Sequence, residues 1–135
     1  MNNNYGDMER RRSKRVRVNL TVIYRVNEPL AMRLVVGDKE IKGNILDLSE
    51  EGMAILTNYH LEPKTTVLLR FTLFKVEKED VGFYGPMEIV GEVRYSIPFG
   101  EGEYRIGIYF LKIEPEDKKE IGDFVRETIS RLKLE

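Results

Sequence analysis

The sequence predicts a mainly β domain, a six-stranded antiparallel barrel followed by one C-terminal α-helix. Two observations predict this fold. Apolar and polar side chains alternate in several short runs between residues 16 and 113, and turn residues separate the runs. From Pro115 onward, apolar residues recur at every third or fourth position, which is typical of a helix with one buried face. Short antiparallel strands at this spacing commonly close into a small barrel.

The first strand is predicted to begin at Val16, because apolar side chains occupy every second position from there to Tyr24. The run Asn27-Glu28-Pro29 is expected to end it. Residues 32–36 could form a short strand in addition to the six of the barrel, with a glycine turn directly after it.

Five further runs rich in β-branched or apolar residues predict the remaining strands. They cover residues 41–48, 53–57, 66–74, 87–97 and 103–113. The last two are expected to form a hairpin across residues 98–102, which contain one proline and two glycines. Residues 75–86 are polar and interrupted by glycine, so they are predicted to form a loop.

The C-terminal helix is predicted to begin at Pro115, because proline suits the first helical position. Glu116 and Asp117 favour the positive end of the helix dipole. The apolar stripe that must be buried consists of Ile121, Phe124, Val125, Ile129 and Leu132.

Length and composition limit the possible classes of protein. A chain of 135 residues is most simply one domain, and we expect residues 10–135 to form it after a disordered lead-in at 1–9. The absence of cysteine excludes thiol catalysis and disulfide scaffolds. No apolar stretch approaches the ~20 residues that span a bilayer, so a cytoplasmic protein without membrane insertion is expected.

Charge is unevenly distributed along the chain. Residues 8–17 contain six basic and one acidic residue, a net charge of +5, whereas the other residues together carry −6. A basic arm over residues 10–17 on an acidic body indicates a local site for an anion.

Two arginines in this arm, Arg11 and Arg15, lie four positions apart. A guanidinium group is planar and always charged, and its donors match phosphate oxygens or the O6/N7 edge of guanine. A solvated basic tail and a non-specific nucleic-acid patch are the simpler interpretations of the same residues.

A second motif, Asp47-x-Ser49-x-x-Gly52, lies between two predicted strands. A carboxylate can accept both donors of the guanine Watson–Crick edge, a hydroxyl can add a further bond, and glycine permits close approach of backbone. Asp, Ser and Gly are also ordinary turn residues, so this motif alone is weak.

The two motifs in this order resemble the PilZ domain, a family of bacterial receptors for the second messenger cyclic di-GMP. The family signature is RxxxR followed by [D/N]xSxxG on a six-stranded split barrel with a C-terminal helix. The resemblance extends from Arg10 to about Leu134, and residues 104–110 are similar to the family's late strand. The link between Arg15 and Asp47 is somewhat long at 31 residues, which suggests an elongated first hairpin.

The resemblance implies a set of ligand-binding residues. They are Arg10, Arg11, Arg15, Asp47, Ser49 and Gly52. The arginines would contact phosphates and guanine edges from the arm, the acid and serine would bind a guanine, and the glycine would permit the turn. In this family the residue before RxxxR influences whether one nucleotide or an intercalated pair binds, and Arg10 is similar to the residue of members that bind the pair.

The function predicted from the sequence is therefore a cyclic di-GMP sensor whose arm becomes ordered on binding and switches an unidentified protein partner in motility, secretion or exopolysaccharide control. The alternatives are a nucleic-acid-binding barrel, which we do not favour, and an interaction module with a vestigial nucleotide site. Catalysis is not expected, because the only histidine, His60, lies in a predicted loop and no phosphate-binding glycine loop is present. No cofactor or metal is expected.

Overall fold

Six antiparallel strands form a closed barrel in the computed structural model, which describes residues 14–77 and 80–134. The strands are β1 Val16–Glu28, β2 Ile41–Leu48, β3 Gly52–Thr57, β4 Thr66–Glu77, β5 Asp80–Pro98 and β6 Tyr104–Lys112. Their order around the barrel is β1-β2-β3-β6-β5-β4, and β4 pairs with β1 to close it. Two helices complete the described fold, α1 Leu30–Val35 and α2 Pro115–Leu134. The predicted lead-in at 1–9 and residues 10–13 of the arm lie outside the described residues.

The alternation in the sequence corresponds to an inner and an outer face of each strand. In β1 the side chains of Val16, Val22 and Tyr24 are buried, whereas the intervening Arg17 and Arg25 are exposed. Helix α2 buries Ile121, Phe124 and Val125 of the predicted stripe, and Phe124 meets Phe74 edge to face at 5.7 Å between ring centroids. Ile129 is partly buried, whereas Leu132, near the end of the helix, is 59% exposed, so the prediction that Leu132 is buried was wrong. The barrel prediction and the C-terminal helix are thus confirmed.

The prediction of a strand over 32–36 was wrong, because residues 30–35 form helix α1. Pro29 has an extended conformation and precedes the helix, and the following residues are mostly good helix formers. Met32 and Val36 are buried and lie four positions apart, which is helical spacing. The long link between Arg15 and Asp47 therefore contains a helix in addition to the extended hairpin.

The predicted loop over 75–86 was also wrong. Strand β4 continues to Glu77 and β5 begins at Asp80, with cross-strand pairs such as Phe74↔Phe83 and Val76↔Val81. The paired backbones satisfy each other's hydrogen bonds, so a polar or glycine-containing run can extend a hairpin without a buried face.

The strand register brings the two sequence motifs together. Arg17 pairs with Asp47 across β1 and β2, and antiparallel geometry makes Arg15 the diagonal neighbour of Asp47 on the same face. Asp47 pairs onward with Ala54 on β3, which pairs with Gly107 on β6. This row of residues forms one outer face of the barrel.

Candidate ligand-binding site

The carboxylate of Asp47 lies between two arginines. Nη1 of Arg15 donates to Oδ1 at 2.6 Å, and Nη2 of Arg105 donates to Oδ2 at 2.7 Å. The Asp47 side chain is only 15% exposed, and each arginine side chain is 30% exposed. These short charge-assisted bonds hold the carboxylate at the barrel surface with both oxygens occupied.

Arg105 is held from a second side by Tyr95. Nε of Arg105 donates to the Tyr95 hydroxyl at 3.2 Å, so two nitrogens of the guanidinium have partners. Burial by itself lowers the pKa of Arg105, but the contacts with Tyr95 and then with Asp47 outweigh it and raise that pKa above its usual value. These contacts therefore favour the charged form of Arg105.

The Tyr95 ring lies over the backbone of Gly107. A Cβ atom at residue 107 would be 2.0 Å from Cε2 of Tyr95, so only glycine allows the ring to occupy this place. Tyr95 and Gly107 are also a directly paired position of β5 and β6. The small residue on β6 thus lets the tyrosine reach the guanidinium of Arg105.

A cleft of about 180 Å³ extends from this cluster along β5 and β6. Arg15, Asp47 and Arg105 line it on one side, and Arg94 and Tyr109 line it farther along the strands. The Arg94 guanidinium lies 4.5 Å from the centroid of the Tyr109 ring. The cleft, which Glu51 also lines, therefore offers cations, two carboxylates and an aromatic surface to a ligand.

The turn after Asp47 is built by Ser49 and Gly52. The buried Ser49 hydroxyl accepts hydrogen bonds from the amides of Glu51 and Gly52, both at 3.2 Å, and its Oγ donates to the Gly52 carbonyl at 3.3 Å. A Cβ at residue 52 would lie 2.2 Å from the carbonyl oxygen of Ile108, so a larger residue cannot be accommodated without moving β6.

A family model described as the PilZ domain matches residues 9–127, which is most of the chain. The chain belongs to the PilZ domain family. No curated protein matches it.

Solved PilZ structures share its fold. The structure of Bacillus subtilis inhibitor of motility, MotI/DgrA, has a TM-score of 0.67 at 17% identity over 90% of this chain and 52% of that chain. The PilZ domain with c-di-GMP of YcgR from Escherichia coli has a TM-score of 0.56 at 14% identity, over 93% of this chain and 97% of that chain. The crystal structure of YcgR in complex with c-di-GMP from Escherichia coli has a TM-score of 0.58 at 15% identity, over 93% of this chain and 49% of that chain. The chain spans about half the length of MotI/DgrA and of this second YcgR chain.

The structure brings four of the six sequence-predicted site residues of this PilZ domain into one region. Arg15 and Asp47 are in direct contact, whereas Ser49 and Gly52 form the adjoining turn. Arg10 and Arg11 lie outside the described residues.

Sequence reasoning did not single out the residues that β5 and β6 contribute. They are Arg94, Tyr95, Arg105, Gly107 and Tyr109. The alternation in β6 contained the signal, because Arg105, Gly107 and Tyr109 occupy every second position between buried Ile106, Ile108 and Phe110. The sequence does not show which distant strands this outer face of β6 lies beside.

Neither helix in the described part of this PilZ domain is long and apolar enough to cross a bilayer.

Proposed function

We propose that this PilZ domain is a receptor for cyclic di-GMP, with Arg10, Arg11, Arg15, Asp47, Ser49 and Gly52 as ligand-binding residues. The observation that carries the proposal is the direct contact between Arg15 of the first motif and Asp47 of the second, at the edge of a cleft lined by further arginines. The ligand has two guanine bases and two phosphates, so it needs cations and a carboxylate acceptor in one place. The c-di-GMP named in the YcgR structures supports the same ligand class.

We infer that binding exchanges partners at Asp47. A guanine presents two adjacent donors, and a carboxylate that has about four lone-pair sites accepts both most directly when one of its two arginine partners has moved aside. Arg15 is the better candidate to leave, because it lies in the segment before β1, whereas Arg105 is held in β6 by Tyr95 as well. The displaced Arg15 then carries its charge to a phosphate or to the O6/N7 edge of guanine.

The arm at 10–17 supplies the remaining contacts. Arg10 and Arg11 precede the described residues and would close over the ligand from the side opposite the barrel. Ordering of this arm would change the surface that a protein partner meets, as order–disorder transitions do in other switches. Gly52 keeps the turn close to β6. The direct bond from Ser49 to a guanine stays a prediction, and it would replace the bond that Oγ donates to the Gly52 carbonyl.

The test is calorimetric titration of the full chain with cyclic di-GMP. GMP, which has the guanine base but no cyclic dinucleotide ring, and cyclic di-AMP, which has the ring but adenine bases, are the controls. We expect saturable heat with cyclic di-GMP alone, and the stoichiometry will distinguish one nucleotide from an intercalated pair. Absence of both heat and thermal shift at high ligand concentration would contradict the proposal.

A further inference from the structure

Helix α1 forms one wall of an open groove at the end of the barrel where β1 and β3 finish. Pro29, Met32 and Val35 line this wall, and Tyr59, His60 and Tyr104 line the opposite one. The groove has a volume of about 480 Å³. We call it the α1 groove. It shares no lining residue with the cleft at Asp47.

The helix wall exposes an unusual amount of apolar surface for so short an element. Val35, which lines the groove, is 69% exposed, and Leu30 and Leu34 of the same six-residue helix, which lie beside the lining residues, are 61% and 64% exposed. A clustered group of exposed apolar side chains indicates an interaction site more than isolated apolar residues do.

The opposite wall is aromatic and held in place. The rings of His60 and Tyr104 lie 5.6 Å apart between centroids, and Nδ1 of His60 is 2.8 Å from the Ser96 hydroxyl. Tyr59 and Tyr104 also pack against the barrel core. An incoming side chain therefore meets a surface that is already formed, which lowers the entropic cost of binding.

The charge at the groove is acidic. Among the described residues, Glu62 is the one carboxylate residue that lines it; its side chain is 69% exposed, and Oε1 lies 3.5 Å from Nε2 of His60. The one basic residue of α1, Arg33, is paired with Asp38. An acidic rim beside apolar walls repels anionic lipid headgroups and attracts a partner that carries basic residues next to apolar ones.

We infer that the α1 groove docks an amphipathic helix of a partner protein, with apolar side chains at i and i+4 between the two walls and basic residues facing Glu62. The groove lies between a helix and an aromatic wall, which matches the helix-in-groove mode of recognition. Two apolar residues at this spacing stand ~6 Å apart along the axis, and a third at i+7 lies ~10 Å along. The inference does not depend on the nucleotide site, although Tyr104 of the groove directly precedes Arg105 in β6.

The test uses two fluorescein-labelled helical peptides of about 15 residues, or ~22 Å of helix, with the same leucine face. One carries lysines beside that face and the other carries glutamates. Fluorescence anisotropy with the full chain should give saturable binding of the lysine peptide, and the glutamate peptide should bind at least about tenfold more weakly.

Variants assign the binding to the groove. We expect Val35→Ser and Tyr59→Ser, one on each wall, each to weaken binding of the lysine peptide by about tenfold, and Glu62→Lys to remove the preference for it. Leu111→Ser is the matched control, because Leu111 is 46% exposed on β6 and does not line the groove. Circular dichroism and thermal melts will show that the variants fold.

Other outcomes would overturn the inference. Equal affinity for both peptides, or lysine-peptide affinity that survives the two wall substitutions, would exclude this surface and this partner chemistry. Self-association in analytical ultracentrifugation that Val35→Ser abolishes would assign the groove to a second copy of the chain. Arg15→Ala should leave peptide binding unchanged, so failure here is distinguishable from failure of the nucleotide site.

Discussion

Arg105 donates to Asp47 at 2.7 Å although the two residues are 58 positions apart in the sequence. The contact connects the second signature motif to β6, and it leaves Asp47 with one arginine partner if Arg15 turns to a ligand. A carboxylate held by one fixed cation keeps its position and its charge while its other oxygen changes partner. We therefore regard Arg105 and Tyr95 as residues that position Asp47.

Replacing Asp47 by alanine should weaken cyclic di-GMP binding in calorimetry, because the side chain that would accept the guanine donors and that pairs with Arg15 and Arg105 is removed. A loss of about tenfold or more in affinity is expected, since a bidentate pair contributes about 1–3 kcal/mol. A protein that bound nucleic acid through the basic arm would behave in the opposite way, because removing a negative charge would strengthen a purely electrostatic contact. Stronger binding of nucleic acid by Asp47→Ala, with no cyclic di-GMP heat from the wild type, would favour that function.

Replacing Arg105 by lysine should weaken cyclic di-GMP binding by about tenfold, or about 1.4 kcal/mol, because an ammonium group cannot reproduce the fork between Tyr95 and Asp47. Arg70→Lys is the matched control, since Arg70 also pairs with a carboxylate from its strand, Glu40 at 3.1 Å, but lies away from the cleft. Equal affinities for Arg105→Lys and the wild type would remove Arg105 from the site.

Replacing Gly107 by alanine should displace the Tyr95 ring and thereby weaken ligand binding. The new Cβ would lie 2.0 Å from the ring, and the ring can move because Tyr95 is 38% exposed. The free energy of unfolding should fall by only about 1–2 kcal/mol in urea denaturation. In a Tyr95→Ala background the same substitution should have little further effect on affinity. An additive loss in the double variant would show that residue 107 acts by another route.

Replacing Gly52 by alanine should be more damaging to the fold itself. Its Cβ would lie 2.2 Å from the Ile108 carbonyl oxygen, and that backbone cannot move without disturbing the pairing of β3 with β6. We expect a loss of about 3 kcal/mol or more in urea denaturation. Gly102→Ala is the control, because its Cβ would meet nothing within 4 Å and only its positive φ of 73° opposes the change. A Gly52→Ala variant as stable as Gly102→Ala would contradict the close approach.

Tyr24 should make stability fall at high pH. Burial in the barrel raises the pKa of Tyr24 to about 12, although its hydrogen bond with Thr57 at 2.7 Å opposes the rise. Because the folded pKa lies above the unfolded value near 10, this contribution to stability is complete below pH ~10 and is lost as pH rises toward 12. The loss amounts to about 2–3 kcal/mol. Urea denaturation of wild type and Tyr24→Phe across this range measures it.

The control for Tyr24 is the double variant Tyr24→Phe with Thr57→Val, which removes both partners of the buried hydrogen bond and so leaves no unsatisfied hydroxyl. The quantity to compare is the difference in the free energy of unfolding between variant and wild type at each pH. Parallel pH profiles for all three proteins would contradict the raised pKa.

Element type could be predicted from the sequence wherever burial alternates strictly, as in β1 and β2. Element type could not be predicted where backbone pairing between strands, and not burial of one face, holds the element. The hairpin over residues 75–86 is held by backbone bonds between neighbouring strands, which leave no periodicity in the side chains. Residues 30–36 are ambiguous in sequence because a short apolar run suits both a strand and a helix. Pro29 before the run, and the four-residue spacing of Met32 and Val36, decide for the helix.

The sequence by itself determined the family, the fold class and the residue types of both signature motifs, because those features are local in the chain. It could not determine which residues complete the site, because that depends on strand order and register. Only the closed barrel places β6 beside β3 and β5, so that Arg105 reaches Asp47 and Tyr95 covers Gly107. It also places helix α1 opposite Tyr104, a juxtaposition that no local pattern contains.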